Sequence, residues 1–184
     1  MSIYGGKEMA ASFRTVRKNT IQIAEDIPEN KYGFQATPDT RTIAQTLVHI
    51  AYAPEWMFHV HGNKSSDMTK VNFPELTQKI LAEESKVRNK AEIVAVLQTQ
   101  GDRFASFVEG LPDSFLDEVL AMPPGGTPPT RSRFDMLLSA KEHEMHHRGQ
   151  LMLLERMVGV VPHLTVQRQA QQAARAQAAQ QQKV

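Results

Sequence analysis

Seven histidines stand in a chain that has no cysteine. A transition metal here must therefore be held by His, Asp or Glu. Thiolate zinc sites, iron–sulfur clusters, a disulfide scaffold and a Cys nucleophile are excluded. Two of the histidines have an informative spacing. His143 and His147 lie one helical turn apart in the string His143-Glu144-Met145-His146-His147-Arg148-Gly149-Gln150. Such an i, i+4 pair sends two imidazoles out from neighbouring turns of one face. At about 100° per residue, Met136, Ala140, His143, His147, Gln150, Leu154 and Val158 fall in a sector roughly 80° wide. That sector reads as the apolar, inward stripe, so two imidazoles occupy positions where leucine is expected. His146 lies about 100° away and reads as facing a flank. His49, within Thr46-Leu47-Val48-His49-Ile50-Ala51, offers a third imidazole from a facing helix. Three neutral nitrogen ligands with an open position suit zinc or nickel, and iron or manganese less specifically. The open position would hold water or substrate, and the cation would lower the pKa of that water or bind a thiol as thiolate. The bland alternative is a metal-free bundle in which the three histidines are hydrogen-bonded core residues.

The same string contains His143-Glu144-Met145-His146-His147, which is literally H-E-x-x-H. In zinc proteases the two His of that signature bind the metal and the Glu is the general base. The extended form of the signature fails, because Gln150 stands where a glycine is required. No strand-like segment is available to line up a peptide. Glu142 and Glu144 read as solvated helix charges, which leaves no evident general base.

These side chains must be positioned by helices, since strand-like alternation is scarce and the periodic segments have helical spacing. A first helix is expected from about Gly6 to Ile27, stopped by Pro28. A second is capped by Asp39 or Thr40, carries His49 and runs to about Val60, with Pro54 kinking it or marking its last turns. The polar connection that follows includes a short helix over about Phe73 to Ser85. A third main helix covers about Asn89 to Glu109. The segment Ala121 to Pro129 holds four prolines and two glycines and cannot be helix interior. A fourth helix, capped by Thr130, is expected from Arg131 to Val158. Trp56, Met57 and Phe58 form an aromatic and sulfur cluster after His49 that reads as core, or as the lining of a pocket mouth or dimer face if exposed. Four amphipathic helices with connections of mixed length give an all-α, antiparallel four-helix bundle.

The chain has 184 residues, enough for one domain that buries a core without covalent staples. Residues 1–163 read as the bundle. Residues 164–184 form a Gln/Ala-rich tail with no apolar stripe, expected as a frayed helix or disordered. With 21 Lys and Arg against 20 Asp and Glu, the net charge is +1, so no nucleic-acid partner is expected from bulk charge. No apolar run is long enough for a membrane span and no secretory leader is evident, which makes the cytoplasm the expected compartment.

The last-helix segment HEMHHRGQL, His143 to Leu151, resembles the motif of the DinB/YfiT-like superfamily of metal-binding four-helix bundles: a His, three residues, a second His, then Arg-Gly-Gln. The stretch from Thr37 to Ala51, with His49, resembles the family's second-helix start. The resemblance covers roughly residues 7–160 and implies an up-down-down-up topology with a long crossover after the second helix. It maps the family's three metal ligands onto His49, His143 and His147. Gln150, on the inward stripe, is expected to hydrogen-bond a ligand imidazole or a bound water. Arg148 is expected to make a salt bridge. Characterised relatives include thiol-dependent transferases and a mycothiol-dependent maleylpyruvate isomerase. The resemblance therefore implies a metal-dependent enzyme acting on a small molecule, either a transferase or isomerase using a low-molecular-weight thiol or a hydrolase. A non-enzymatic, metal-binding stress or damage-response protein is the alternative. Homodimerisation is also implied.

Overall fold

The computed structural model describes residues 4–181. Helix α1 spans Gly6–Asp26 and buries Met9, Phe13, Val16, Thr20 and Ile23, the expected three-and-four spacing. Gly6 lets its first turn press against another helix end, because a Cβ there would fall 2.5 Å from the Val108 carbonyl oxygen.

Helix α2 spans Ile43–Tyr52 and begins later than expected. Thr40 and Asp39 are not its caps because their side chains are used locally. The Thr40 hydroxyl donates to the Thr37 carbonyl at 2.8 Å, and Asp39 accepts from the Thr37 hydroxyl at 2.6 Å. Thr42 caps instead, its hydroxyl accepting from Gln45 N while the Gln45 side chain accepts from Thr42 N. The helix also stops short of Val60. Pro54 has no N–H to continue the ladder, and the chain proceeds through a single turn, α3 (Glu55–Met57), and a π turn over Phe58–Gly62.

The long crossover contains α4 (Phe73–Glu84), which starts at the Asn72 cap. Helix α5 (Lys90–Glu109) follows, opened by a reciprocal Asn89–Glu92 cap. A one-turn helix, α6 (Asp113–Leu116), leads into a two-stranded antiparallel hairpin, β1 (Val119–Ala121) with β2 (Thr130–Ser132). This hairpin corrects the expected start of the last helix. Thr130 and Arg131 pair with Ala121 and Leu120, so Ser132 becomes the cap and α7 spans Arg133–Met157. Beyond the αL turn at Gly159 comes α8 (His163–Gln181), which buries no side chain.

Helices α1, α2, α5 and α7 form an up-down-down-up bundle. Both α1 and α2 pack on α5 and α7, while α4 lies against α2. One half of the core gathers Ile23, Ile27, Ile43, Leu47, Leu97 and Leu151. The other gathers Met9, Phe13, Phe104, Val108 and Leu137. Each fully buried side chain of this kind contributes about 1.5–3 kcal/mol. Between the halves lies Arg17, only 4% exposed. Its guanidinium donates to both carboxylate oxygens of Glu144 at 2.9 and 3.0 Å, to the Leu97 carbonyl at 2.7 Å and to the Ile50 carbonyl at 3.2 Å. One side chain on α1 thus bonds to each of the other three bundle helices. Gly101 makes room for it, since a Cβ there would stand 2.7 Å from Arg17 Cγ. No helix among the described residues is long and apolar enough to cross a membrane.

Candidate metal centre

The buried face of α7 is not the stripe that the angular count selects. It runs through Arg133, Leu137, Ala140, Glu144, Leu151 and Glu155 as well as Met136 and Leu154. The reason is Arg17, which neutralises Glu144 and draws it inside, so Glu144 is not the solvated charge expected from the sequence. His143 and His147 accordingly lie on the edge of the buried face, half-buried, and Gln150 is exposed rather than inward. His146 is exposed, on the flank. Arg148 makes no ion pair among the described residues; its charge lies near His163.

Helix α2 supplies the third imidazole. Its apolar side, Ile43, Leu47, Val48 and Ile50, is sunk in the core, and this leaves His49 on the rim facing α7. Here the chain brings its distant histidines together. His143 Nε2 lies 3.1 Å from His49 Nε2 and 3.2 Å from His147 Nε2. One ring nitrogen from each of the three falls within 4.8 Å of the others. For comparison, a tetrahedral ion with nitrogen ligands at about 2.0–2.1 Å separates those nitrogens by about 3.3–3.4 Å.

The outer nitrogens are engaged. His49 Nδ1 lies 2.7 Å from Glu84 Oε1, and His147 Nδ1 lies 2.7 Å from Gln150 Oε1. A carboxylate oxygen and an amide oxygen only accept, so both Nδ1 atoms carry the proton and both Nε2 atoms present lone pairs inward. The Gln150 amide then donates onward to His146 Nε2 at 3.2 Å. Burial favours the neutral form of all three imidazoles. It pushes His143 down to about 4, with His147 and His49 adding to the effect. It lowers His49 against the opposing hydrogen bond of Glu84, and His147 against that of Gln150.

Glu84 and Arg41 are the site residues that sequence reasoning missed. Glu84 ends α4, is 8% exposed, and its second oxygen accepts from Arg41 Nε at 2.7 Å. A signal for it existed. Two consecutive acids, Glu83 and Glu84, at a helix C-terminus run against the helix dipole and call for cationic or imidazole partners.

Two cavities touch the cluster. An open groove of about 670 Å³, of mixed lining, has Asp39, Arg41, Glu84, His147 and Gln150 in its wall beside Leu81, Leu153 and Leu154. An apolar cavity of about 310 Å³ has His49 and His143 in its wall.

The fold and the site define an up-down-down-up helical bundle in which a three-histidine cluster joins the second and last bundle helices. The chain belongs to the DinB superfamily, whose family model matches residues 12–151. Solved structures agree on the fold. YfiT from Bacillus subtilis, described as a probable metal-dependent hydrolase with an unusual four-helix bundle topology, is 15% identical, with a TM-score of 0.65 over 87% of this chain and 91% of that one. A DinB-like protein from Bacillus cereus is 16% identical, with a TM-score of 0.63 over 84% and 93% of the two chains. The DinB-like protein YjoA from Bacillus subtilis is 19% identical, with a TM-score of 0.58 over 83% and 92%. No functionally curated protein matches the chain.

Proposed function

We propose that His49, His143 and His147 hold one divalent cation, and that this centre serves a metal-dependent hydrolase of small molecules. The observation that carries the reading is a proton count. His49 and His147 both donate through Nδ1, so their Nε2 atoms are acceptors aimed at His143 Nε2. His143 Nε2 carries at most one proton and can satisfy only one of them. A shared cation resolves all three lone pairs at once, which a set of hydrogen-bonded core histidines does not.

Three neutral imidazoles with room for a further ligand favour zinc. When bound, the ion supplies Lewis acidity and a vacant coordination position. The residues of the chain do the rest. Glu84 and Gln150 fix the tautomer and aim of two imidazoles. The apolar cavity meets the cluster at His49 and His143, and the larger groove, which carries Arg41, Glu84 and Gln150, meets it at His147. The likeness to YfiT supports hydrolysis as the reaction class. A zinc-protease role for the H-E-x-x-H string has no support, because Arg17 occupies both oxygens of Glu144 inside the bundle.

The test is metal analysis of untagged protein, followed by turnover with neutral esters and amides, with and without added thiol. The expected result is about one zinc per chain, lost in His147→Ala, and hydrolysis that needs no thiol. Metal near zero that neither zinc nor nickel restores would remove the centre. Turnover only with thiol would replace hydrolysis by thiol-dependent transfer.

A further inference from the structure

The 310 Å³ cavity beside His49 and His143 has a definite chemistry. Ala53, Pro54, Trp56, Met57, Ile80 and Ala140 supply apolar walls, and no carboxylate, ammonium or guanidinium lines it. Its one hydroxyl, Ser139, already donates to the Met136 carbonyl at 2.6 Å. A charged group placed here would lose its hydration without a partner. A neutral apolar group would gain burial against an indole and a thioether, both adaptable surfaces. Size narrows the choice further. An apolar cavity of about 150 Å³ accepts benzene, so this one, at about 310 Å³, has room for a substituted ring or a branched alkyl chain. Trp56 and Ile80 also wall a second, mostly apolar cavity of about 300 Å³ lined by Met68, Phe73, Met136 and Arg131.

We propose that this cavity is the substrate subsite of the centre and takes a compact, neutral aryl or branched alkyl group, whose polar reacting end lies at the three imidazoles. The inference rests on the three-histidine metal reading above. Polar remainders of the substrate are directed to the groove at His147, where Arg41, Thr46 and Gln150 stand with the carboxylates of Asp39 and Glu84. Ile80 and Trp56, which line both apolar cavities, limit the length of the apolar group.

Hydroxamic acids test this, because one chelating head can carry different apolar groups. Zinc-loaded, full-length protein is titrated calorimetrically with acetohydroxamate, benzohydroxamate and 2-naphthohydroxamate. Benzohydroxamate is expected to bind at least about tenfold tighter than acetohydroxamate, beyond their difference toward free zinc. Ala53→Leu, which fills the cavity from the residue just after α2, should abolish that advantage. Ile80→Ala, which shortens a side chain lining both cavities, should improve 2-naphthohydroxamate selectively. Both positions are only half-buried, and either variant alone decides the matter if the other fails to fold. Equal binding of acetohydroxamate and benzohydroxamate to zinc-loaded protein, or an advantage that neither variant moves, overturns the subsite and leaves the metal centre standing. Failure to load zinc removes the metal centre, and the subsite falls with it.

Discussion

Arg17 on α1 grips Glu144 on α7 through both carboxylate oxygens, at 2.9 and 3.0 Å, while its guanidinium also donates to the Ile50 carbonyl on α2. Glu144 follows His143 in sequence, and Ile50 follows His49. The guanidinium therefore sets the spacing of the two stretches that carry the imidazoles. We predict that Arg17→Met alone destabilises the fold by about 3–5 kcal/mol, because it strands a buried carboxylate. Adding Glu144→Leu should recover most of that loss, since apolar replacements of a buried ion pair are often neutral. The double variant should still bind zinc more weakly than wild type, because the hydrogen bonds that tie the two stretches to one guanidinium are gone. Urea unfolding and chelator competition measure the two effects separately. A double variant that is stable and binds zinc as tightly as wild type would show that the pair has no part in placing the histidines.

Glu84 acts on the cluster more directly, through its 2.7 Å contact with His49 Nδ1. Partners of this kind orient a ligand imidazole and raise its basicity, and their loss costs roughly 10–100-fold in metal affinity. We predict that loss for Glu84→Ala. Glu84→Gln should lose less, because an amide oxygen still accepts from Nδ1–H. Competition against a zinc chelator, with far-ultraviolet circular dichroism as the check on folding, tests both. Equal zinc affinity in all three proteins would mean that the contact is incidental.

The contrast between these two carboxylates shows what the sequence could convey. Helical periodicity located α1, α4 and α5 to within a residue or two, because those segments satisfy their caps and apolar stripes locally. The pairing of His49 with His143 and His147 was legible from residue type, spacing and family resemblance. Glu144 was not legible as a core residue, because its burial depends on Arg17, 127 positions away in the chain. Glu84 was equally hidden, since α4 reaches His49 only through the crossover. The hairpin of β1 and β2 was invisible for a different reason. Two three-residue strands are too short to show a period-two pattern, and their pairing moved the start of α7 from Arg131 to Arg133.

Helix α8 gives a prediction about the tail. From Gln167 to Gln181 every residue is exposed, and no side chain of the helix is buried. Its attachments lie at its start, where Arg156 donates to the Thr165 hydroxyl at 2.8 Å and His163 meets Asn19 at 3.3 Å. Exposed residues without tertiary contacts contribute little to global stability. We predict that removing residues 168–184 lowers the melting temperature by less than about 2 °C and leaves zinc content unchanged. Scanning calorimetry checks the first part. A drop several times larger would mean that the helix packs on the bundle or on a second chain.

Glu155, in the last turn of α7, is fully buried, and neither of its carboxylate oxygens has a hydrogen-bond partner. Burial pushes its pKa up to about 7, the nearby charge of Asp26 adds to the rise, and Arg156 opposes it. The folded chain therefore keeps a proton on Glu155 that the unfolded chain releases near the ordinary value of 4.5. Between those two pH values the native state binds the extra proton, so this group makes stability fall as pH rises, by about 1.4 kcal/mol per pH unit. Below the window both states are protonated and above it both are ionised, so the contribution is flat on either side. Glu155→Gln removes the titration and keeps the shape. We predict that the variant gains stability relative to wild type as pH rises from 5 to 7, and that the difference then levels off. Urea unfolding of both proteins at pH 5, 6, 7 and 8 measures it. A difference that stays constant across that range would mean that Glu155 is ionised in the folded chain, with its charge met by solvent or a bound cation.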